Sequence, residues 1–188
     1  MQLDQEEKGF SFMKEGPLDM RMGPSCITSA QEIVNKWTEK KLGDIFREYG
    51  EEPKWRKAAK AIIDARKKKP IRTTLELADL LSVSIGRSKK KLHPATLVFQ
   101  ALRIAVNDEL GAVKQGLAKA IKKLSVGGKI GVISFHRLED RIVKETFREA
   151  AQQKTVELMT KKPLVPTLAE SRKNRRARSA KMRFVKKV

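Results

Sequence analysis

SVGGKIGVISFHRLEDRIVKETFREAA, residues 125 to 151, decides the fold class. Gly127 and Gly128 turn the chain, and KIGVISF, residues 129 to 135, then reads as a buried strand. HRLEDRIVKETFREAA follows as a helix. Strand, then helix, with a helix before the glycine turn, is the rhythm of an α/β sheet. In such sheets chemistry gathers beyond the carboxyl ends of the strands. Ser134, Phe135 and His136 stand at that end, so FHRLEDR is the first chemical candidate, with His136, Glu139, Asp140 and Arg141 as its polar groups. Each has a plainer reading beside the chemical one. His136 is also a good local cap, and Glu139 and Asp140 are also first-turn charges favoured by the helix dipole.

Working outward toward the amino terminus, Phe99, Leu102, Val106, Leu110, Val113, Leu117, Ile121 and Leu124 recur every three or four residues. The spacing predicts one amphipathic helix of roughly 45 Å, packed onto a sheet, with a bend or break at Gly111 or Gly116. Asn107, Asp108 and Glu109 interrupt it with three polar groups, either a surface turn or part of a site. Residues 28 to about 82 read as all-helical. Ser29 with Glu32 and Thr73 with Glu76 are capping boxes, Gly50 is a stop, and Pro53 opens a second helix that Pro70 ends. That second helix sets Lys54, Arg56, Lys57, Lys60, Arg66, Lys67, Lys68 and Lys69 against Asp64 alone. It is either a solvated face or a phosphate-binding one, with Lys54, Lys57 and Lys60 as the candidate contacts.

Working outward the other way, TVELMTKKPLVPTL, residues 155 to 168, suits an edge strand, because Pro163 and Pro166 remove ladder donors. Residues 171 to 188 hold nine basic residues and no acid, among them Arg175, Arg176 and Arg178. They form either a disordered basic arm or, from the alternation of KMRFVKKV, a folded strand. At the opposite end, GFSFMKEGPLDMRMG, residues 9 to 23, is rich in Met and Phe but keeps no period, and its glycines and prolines forbid a long element. By local rules it is a loose tail, yet it is too apolar for one.

Lys and Arg number 42 against 22 Asp and Glu, a net charge of +20 that points to a polyanionic partner, nucleic acid before an anionic membrane surface. No segment approaches the length of apolar sequence that a membrane span needs. A single cysteine, Cys26, rules out an internal disulfide, and with only His93 and His136 to join it a structural metal site is not expected. The composition fits a reducing, cytoplasmic setting. The glycine cluster at residues 127 to 131 precedes a strand, whereas a dinucleotide fingerprint follows one, and no Walker, GxSxG or HExxH motif occurs.

MQLDQEEKGFSFMKEGPLDMRM, EYGEE, PIRTTLELA, HPATLVFQALRIAVNDEL, GGKIGVISFHRLEDRIVK and NRRARSAKMR, in this order, resemble the bacterial 16S rRNA cytosine-N4 methyltransferase family across essentially the whole chain. The resemblance implies an α/β fold, the C-terminal part of a class I, Rossmann-like methyltransferase dependent on S-adenosyl-L-methionine, with an inserted all-helical module. It implies that residues 1–27 hold an active-site loop, residues 28–92 the helical insertion that recognises RNA, and residues 93–188 the C-terminal part of the catalytic domain. It carries Asp19, Arg21, His136, Asp140 and Arg141 over as catalytic residues and Gln2 as a cofactor contact, while Lys54, Lys57, Lys60, Arg175, Arg176 and Arg178 are candidate RNA contacts read from the basic runs. The expected partner is the small ribosomal subunit and its 16S rRNA, and oligomerisation is left open. Two departures stand out, since the family's FHSLEDR reads FHRLEDR through Arg137, and Gly23 replaces the Asp that follows PLDMRM. The family's glycine-rich cofactor loop lies about a hundred residues before the first matching segment, so an amino-terminal part is expected to be lacking. The alternative from another class is a non-catalytic basic protein for RNA binding or ribosome assembly.

Overall fold

A computed structural model of the chain describes residues 6 to 86 and 92 to 188. Two compact units divide it, one ending at Glu109 and the other beginning at Leu110.

The first unit packs five helices and the opening loop around one core. The helices are α1 (Ala30–Lys36), α2 (Glu39–Glu48), α3 (Trp55–Arg66), α4 (Thr74–Ile85) and α5 (Thr96–Asn107). Residues 28 to 50 make two helices where the spacing suggested one segment, because Trp37 turns extended and Thr38 starts afresh as a cap, its hydroxyl accepting from Lys41 N. Both expected capping boxes form, Ser29 with Glu32 and Thr73 with Glu76. Lys69 and the backbone N–H groups of Arg72 and Thr73 draw the Glu76 carboxyl down to about 2. Phe46, Ile33, Leu42, Ile62, Leu77, Leu81, Leu102 and Ile104 are almost wholly excluded from solvent.

The opening stretch belongs to this core. Leu18 and Met20 are completely buried and Phe10 nearly so. Leu18 N donates to Arg72 O, and the carbonyls of Leu18 and Asp19 accept from Gln31 N and Ala30 N at the start of α1. Gly16 and Thr74 exchange two further bonds. Local rules cannot see such partners, which lie tens of residues away in the sequence, and they convert an aperiodic tail into a fixed loop.

The long amphipathic pattern breaks earlier than its glycines suggested. α5 ends at Asn107 and Asp108 takes left-handed backbone (φ 47°), after which α6 (Glu109–Lys123) carries Gly111 and Gly116 within it. Asp tolerates this conformation through its short polar side chain. In the second unit α6 presents Leu117 and Ile121 to a small core of Val143, Phe147, Ala150, Val156 and Val185.

That core lies under a three-stranded sheet ordered β1 (Lys129–Ser134), β3 (Lys181–Lys187), β2 (Val156–Leu158), with α7 (Arg137–Gln152) between β1 and β2 in sequence. Both pairings are antiparallel, Ile130 opposite Val185 and Leu158 opposite Val185 on the two sides. Of the two readings open for the basic carboxyl end, a folded strand is therefore the one that forms, and it is the central strand of this sheet. β1 is not the fully buried strand that its apolar run suggested. Only one of its faces is covered, and Ile133 and Phe135 are each 53% exposed. Its apolar residues on successive positions point to opposite faces, and a run without alternation cannot reveal that one face is open. Between β2 and β3, α8 (Leu168–Lys173) and a 3-10 turn at Arg175–Ser179 lead into the central strand.

Candidate functional site

Each unit holds part of the expected site. In the first, Asp19 and Arg21 sit on the outer side of the opening loop. Asp19 accepts from Arg21 Nε at 2.7 Å, from its terminal nitrogen at 2.8 Å and from its backbone N–H at 3.1 Å. The Arg21 guanidinium holds the Asp19 carboxyl below the usual carboxylate range, against a smaller opposing effect of burial. Between them, Met20 adopts φ 63°, so the two polar side chains flank a residue turned into the core.

Asn107, the last residue of α5, fixes this loop. Its Nδ2 donates to Met20 O at 2.8 Å and to Arg103 O at 2.9 Å, and its Oδ1 accepts from Met22 N at 2.8 Å and from the Cys26 thiol at 3.2 Å. Of the two readings open in the sequence, surface turn or site, the structure gives it a structural task beside Asp19 and Arg21. Asn107→Ala is expected to lower the unfolding stability of this unit by about 2 kcal/mol, because it strands the carbonyl of the buried Met20. Urea unfolding checks this, and an unchanged midpoint would refute it.

α3 carries the basic candidates. Lys54 Nζ donates to Ile85 O, where it caps the carboxyl end of α4. Lys57 and Lys60 are exposed. Beside them the Arg56 guanidinium lies 4.0 Å from the Trp55 ring and that of Arg47 5.4 Å away, so Trp55 is flanked by two cations.

In the second unit His136 is the N-cap of α7, its Nδ1 accepting from Glu139 N at 3.4 Å. Glu139 closes the box by accepting from Phe135 N and His136 N. Burial pushes the Glu139 carboxyl up, but the His136 ring and the Phe135 N–H outweigh it and leave the group below its ordinary value. His136 Nε2 lies 3.2 Å from Glu139 Oε1. The contact is off the line of an N–H bond, and this buried nitrogen makes no hydrogen bond.

Asp140 turns to the neighbouring strand β3, where its partners Lys181 and Arg183 stand opposite Ser134 and Val132. Its carboxylate takes Arg183 in a fork, at 2.7 Å from Nε and 3.3 Å from the second nitrogen, and Lys181 at 3.1 Å. It pins α7 to β3. Arg141 is exposed on α7. Gln2 lies outside the described residues.

A cleft lined by Ser171, Arg172, Arg175, Arg176, Arg178 and Ser179 opens beside α8 and the 3-10 turn. Three of the four arginines were legible as a charge run. Arg172, Ser171 and Ser179 were missed, since only folding of the segment brings them onto the same wall.

Residues 1–188 match the profile of the MraW methylase family. The chain belongs to that family. Ribosomal RNA small subunit methyltransferase H of Protochlamydia amoebophila (strain UWE25) is 48% identical over 204 aligned residues, which take in all of this chain and 65% of that protein. The protein of the same name from Neorickettsia sennetsu (strain ATCC VR-367 / Miyayama) is 48% identical over all of this chain and 63% of its own length. That from Synechocystis sp. (strain ATCC 27184 / PCC 6803 / Kazusa) is 49% identical over all of this chain and 60% of its own. The chain thus spans 60 to 65% of the length of these curated relatives. A mixed helical and small-sheet architecture is compatible with the α/β fold of a methyltransferase. Among the described residues no helix is long and apolar enough to cross a membrane.

Proposed function

We propose that this member of the MraW methylase family forms the RNA-facing part of a cytoplasmic enzyme that methylates the N4 amine of a cytidine in the decoding region of 16S rRNA. The supporting observation is the family match over residues 1–188, joined by relatives named for small-subunit rRNA methylation. The donor proposed is S-adenosyl-L-methionine, which supplies an electrophilic methyl group on a positively charged sulfur. Neither the cleft beside α8 nor Asp19 fits the sulfonium of that donor. The arginine-lined cleft repels a cation, and the Asp19 carboxylate is engaged by Arg21.

The share of the work that the described residues take is on the RNA side. An exocyclic amine inside a helix is out of reach, so the cytosine must leave its stack. Asp19 is lowered in pKa and stays ionised across the working range. A carboxylate of that kind is a poor proton acceptor but a strong hydrogen-bond acceptor, and the acceptor position that Arg21 leaves on Oδ2 suits one N–H of N4. Arg21 fixes its orientation through the fork. Lys57 and Lys60 on α3, with residues 28–92 around them, are the proposed RNA-recognising face. His136 and Asp140 then serve by holding α7 in place, through the cap and through the pair with Arg183.

Transfer of labelled methyl groups to small ribosomal subunits by the complete protein tests the reading. Asp19→Ala is expected to slow transfer about a hundredfold, the usual scale for losing one positioned polar group at a reacting centre. An unchanged rate removes Asp19 from the site. No transfer at all, with salt-sensitive rRNA binding retained, would favour the non-catalytic RNA-binding alternative.

A further inference from the structure

The cleft beside α8 is unevenly balanced in charge. Of the cations at the carboxyl end, Lys181 and Arg183 already share the Asp140 carboxylate. The side chains of Arg172, Arg175 and Arg178 make no hydrogen bond or ion pair with any described residue, although they share one wall with Ser171 and Ser179. Among the described residues no carboxylate lines that wall. Three exposed guanidinium groups brought together repel one another, and a disordered arm would let them separate.

Here the backbone holds them. Asn174 N donates to Glu170 O at 2.7 Å, closing α8, and the Asn174 side chain accepts from Arg176 N at 3.1 Å to start the turn. Ala177 N donates to Asn174 O and Ala180 N to Ala177 O, and Ala177 itself is buried as the anchor. The turn then runs directly into the central strand of the sheet. The cations are thus fixed at close quarters without a counter-charge from the described residues, which is the arrangement of a built anion site.

We infer that this cleft is a discrete site for a phosphodiester of RNA, an inference that rests on the reading of the chain as an RNA-binding protein. A single carboxylate would be satisfied by one guanidinium fork. A phosphodiester spreads its one negative charge over two non-bridging oxygens set tetrahedrally, so that different guanidinium groups can approach from different directions and acceptor positions remain for hydroxyls such as those of Ser171 and Ser179. An anionic membrane is the weaker candidate, because α8 has only six residues and cannot lay an extended apolar face into a bilayer.

The test is binding of the full chain to a fluorescent 15-nucleotide single-stranded RNA across a range of KCl concentrations. Arg172→Gln, Arg175→Gln and Arg178→Gln are combined in one variant. Lys119→Gln, Lys122→Gln and Lys123→Gln on α6 make a second variant with the same loss of charge, all three being exposed. Circular dichroism confirms that both fold. The arginine variant is expected to bind at least tenfold more weakly at about 100 mM salt, and its log–log salt slope to be shallower by about 0.7 for each phosphate lost. The lysine variant is expected to keep the slope of the parent. Equal losses from both variants would mean diffuse charge and overturn the site alone. Absence of RNA binding by the parent would overturn the RNA reading with it, whatever the methyl-transfer assay shows. Two further outcomes also count against the inference: inorganic phosphate at millimolar levels displacing the RNA completely, and phosphatidylserine vesicles losing affinity for the arginine variant while RNA does not.

Discussion

Asp140→Ala is expected to lower the stability of the second unit by about 3 kcal/mol, the low end of the cost of breaking a buried ion pair. The Asp140 and Arg183 side chains are each 11% exposed, so removing the carboxylate leaves a guanidinium with little water to replace it. Lys181 is 38% exposed and recovers hydration more easily, which is why the low end applies. The unit has a small core, and α7 meets β3 through this pair at one end and through Phe147 and Val185 at the other. Thermal or urea unfolding measures the loss. A variant within about 0.5 kcal/mol of the parent would show that the pair only balances its own desolvation. Replacing both partners, with Asp140→Leu and Arg183→Met, should restore much of the loss, since the buried guanidinium is then gone and the more exposed Lys181 can rehydrate.

The same carboxylate sets a dependence on pH. Burial pushes the Asp140 pKa up, but hydrogen bonds and charges from Arg183 and Lys181 outweigh this and hold it below the usual carboxylate range. The folded value is lower than the unfolded one, so the contribution is complete above the unfolded pKa of about 4 and is lost as pH falls through the folded value. The difference between parent and Asp140→Ala should therefore stay level from neutral pH down to about 5 and shrink below about 4.

What the sequence makes legible follows from how local each signal is. The capping boxes at Ser29 and Thr73 involve residues three apart, and both form where the pattern places them. Of the edge strand suggested for residues 155 to 168 only Val156–Leu158 forms, ahead of both prolines, and of the two readings open for KMRFVKKV the strand is the one that forms. Pairing partners are not local. Nothing near residue 181 announces that this segment is central, or that β1 opposes it antiparallel with Ile133 left open. Glycine is the usual signal for a break after α5, whereas Asn107 and Asp108 make it through a side chain tied to a loop 85 residues away.

The candidate site divides in the same way. Asp19 and Arg21 are two residues apart, and their pairing is the geometry such spacing allows. His136 and Glu139 are another local pair, legible as a cap from their spacing at the start of a helix. The partner of Asp140 is not visible, because Arg183 lies 43 residues on and looks like one more cation in a basic tail. The arginine-lined wall likewise depends on the turn at Arg175–Ser179, which charge counting cannot supply.

Gly9→Ala is the strongest expected perturbation of the loop that carries Asp19 and Arg21, at about 3 kcal/mol together with a loss of any activity that depends on Asp19. Gly9 has φ 66°, in the left-handed region, which costs a residue with a side chain roughly 1 kcal/mol before any contact is counted. The contact then dominates. A Cβ built there falls 1.9 Å from Pro17 O and 3.0 Å from Asp19 N. Both are backbone atoms, so no side chain can rotate aside, and the Pro17–Asp19 segment itself must move. That segment is held by Leu18 N to Arg72 O, by Ala30 N to Asp19 O and, at the next residue, by Met20 N to Lys8 O, bonds that cannot all survive the displacement. Gly23, in the same loop, is the control. A Cβ there meets nothing within 4 Å, so Gly23→Ala should be neutral or stabilise by a few tenths of a kcal/mol by restricting the unfolded chain. Equal behaviour of the two variants in urea unfolding would mean that the opening stretch is a loose tail after all, and would release Asp19 from the geometry on which its proposed role depends.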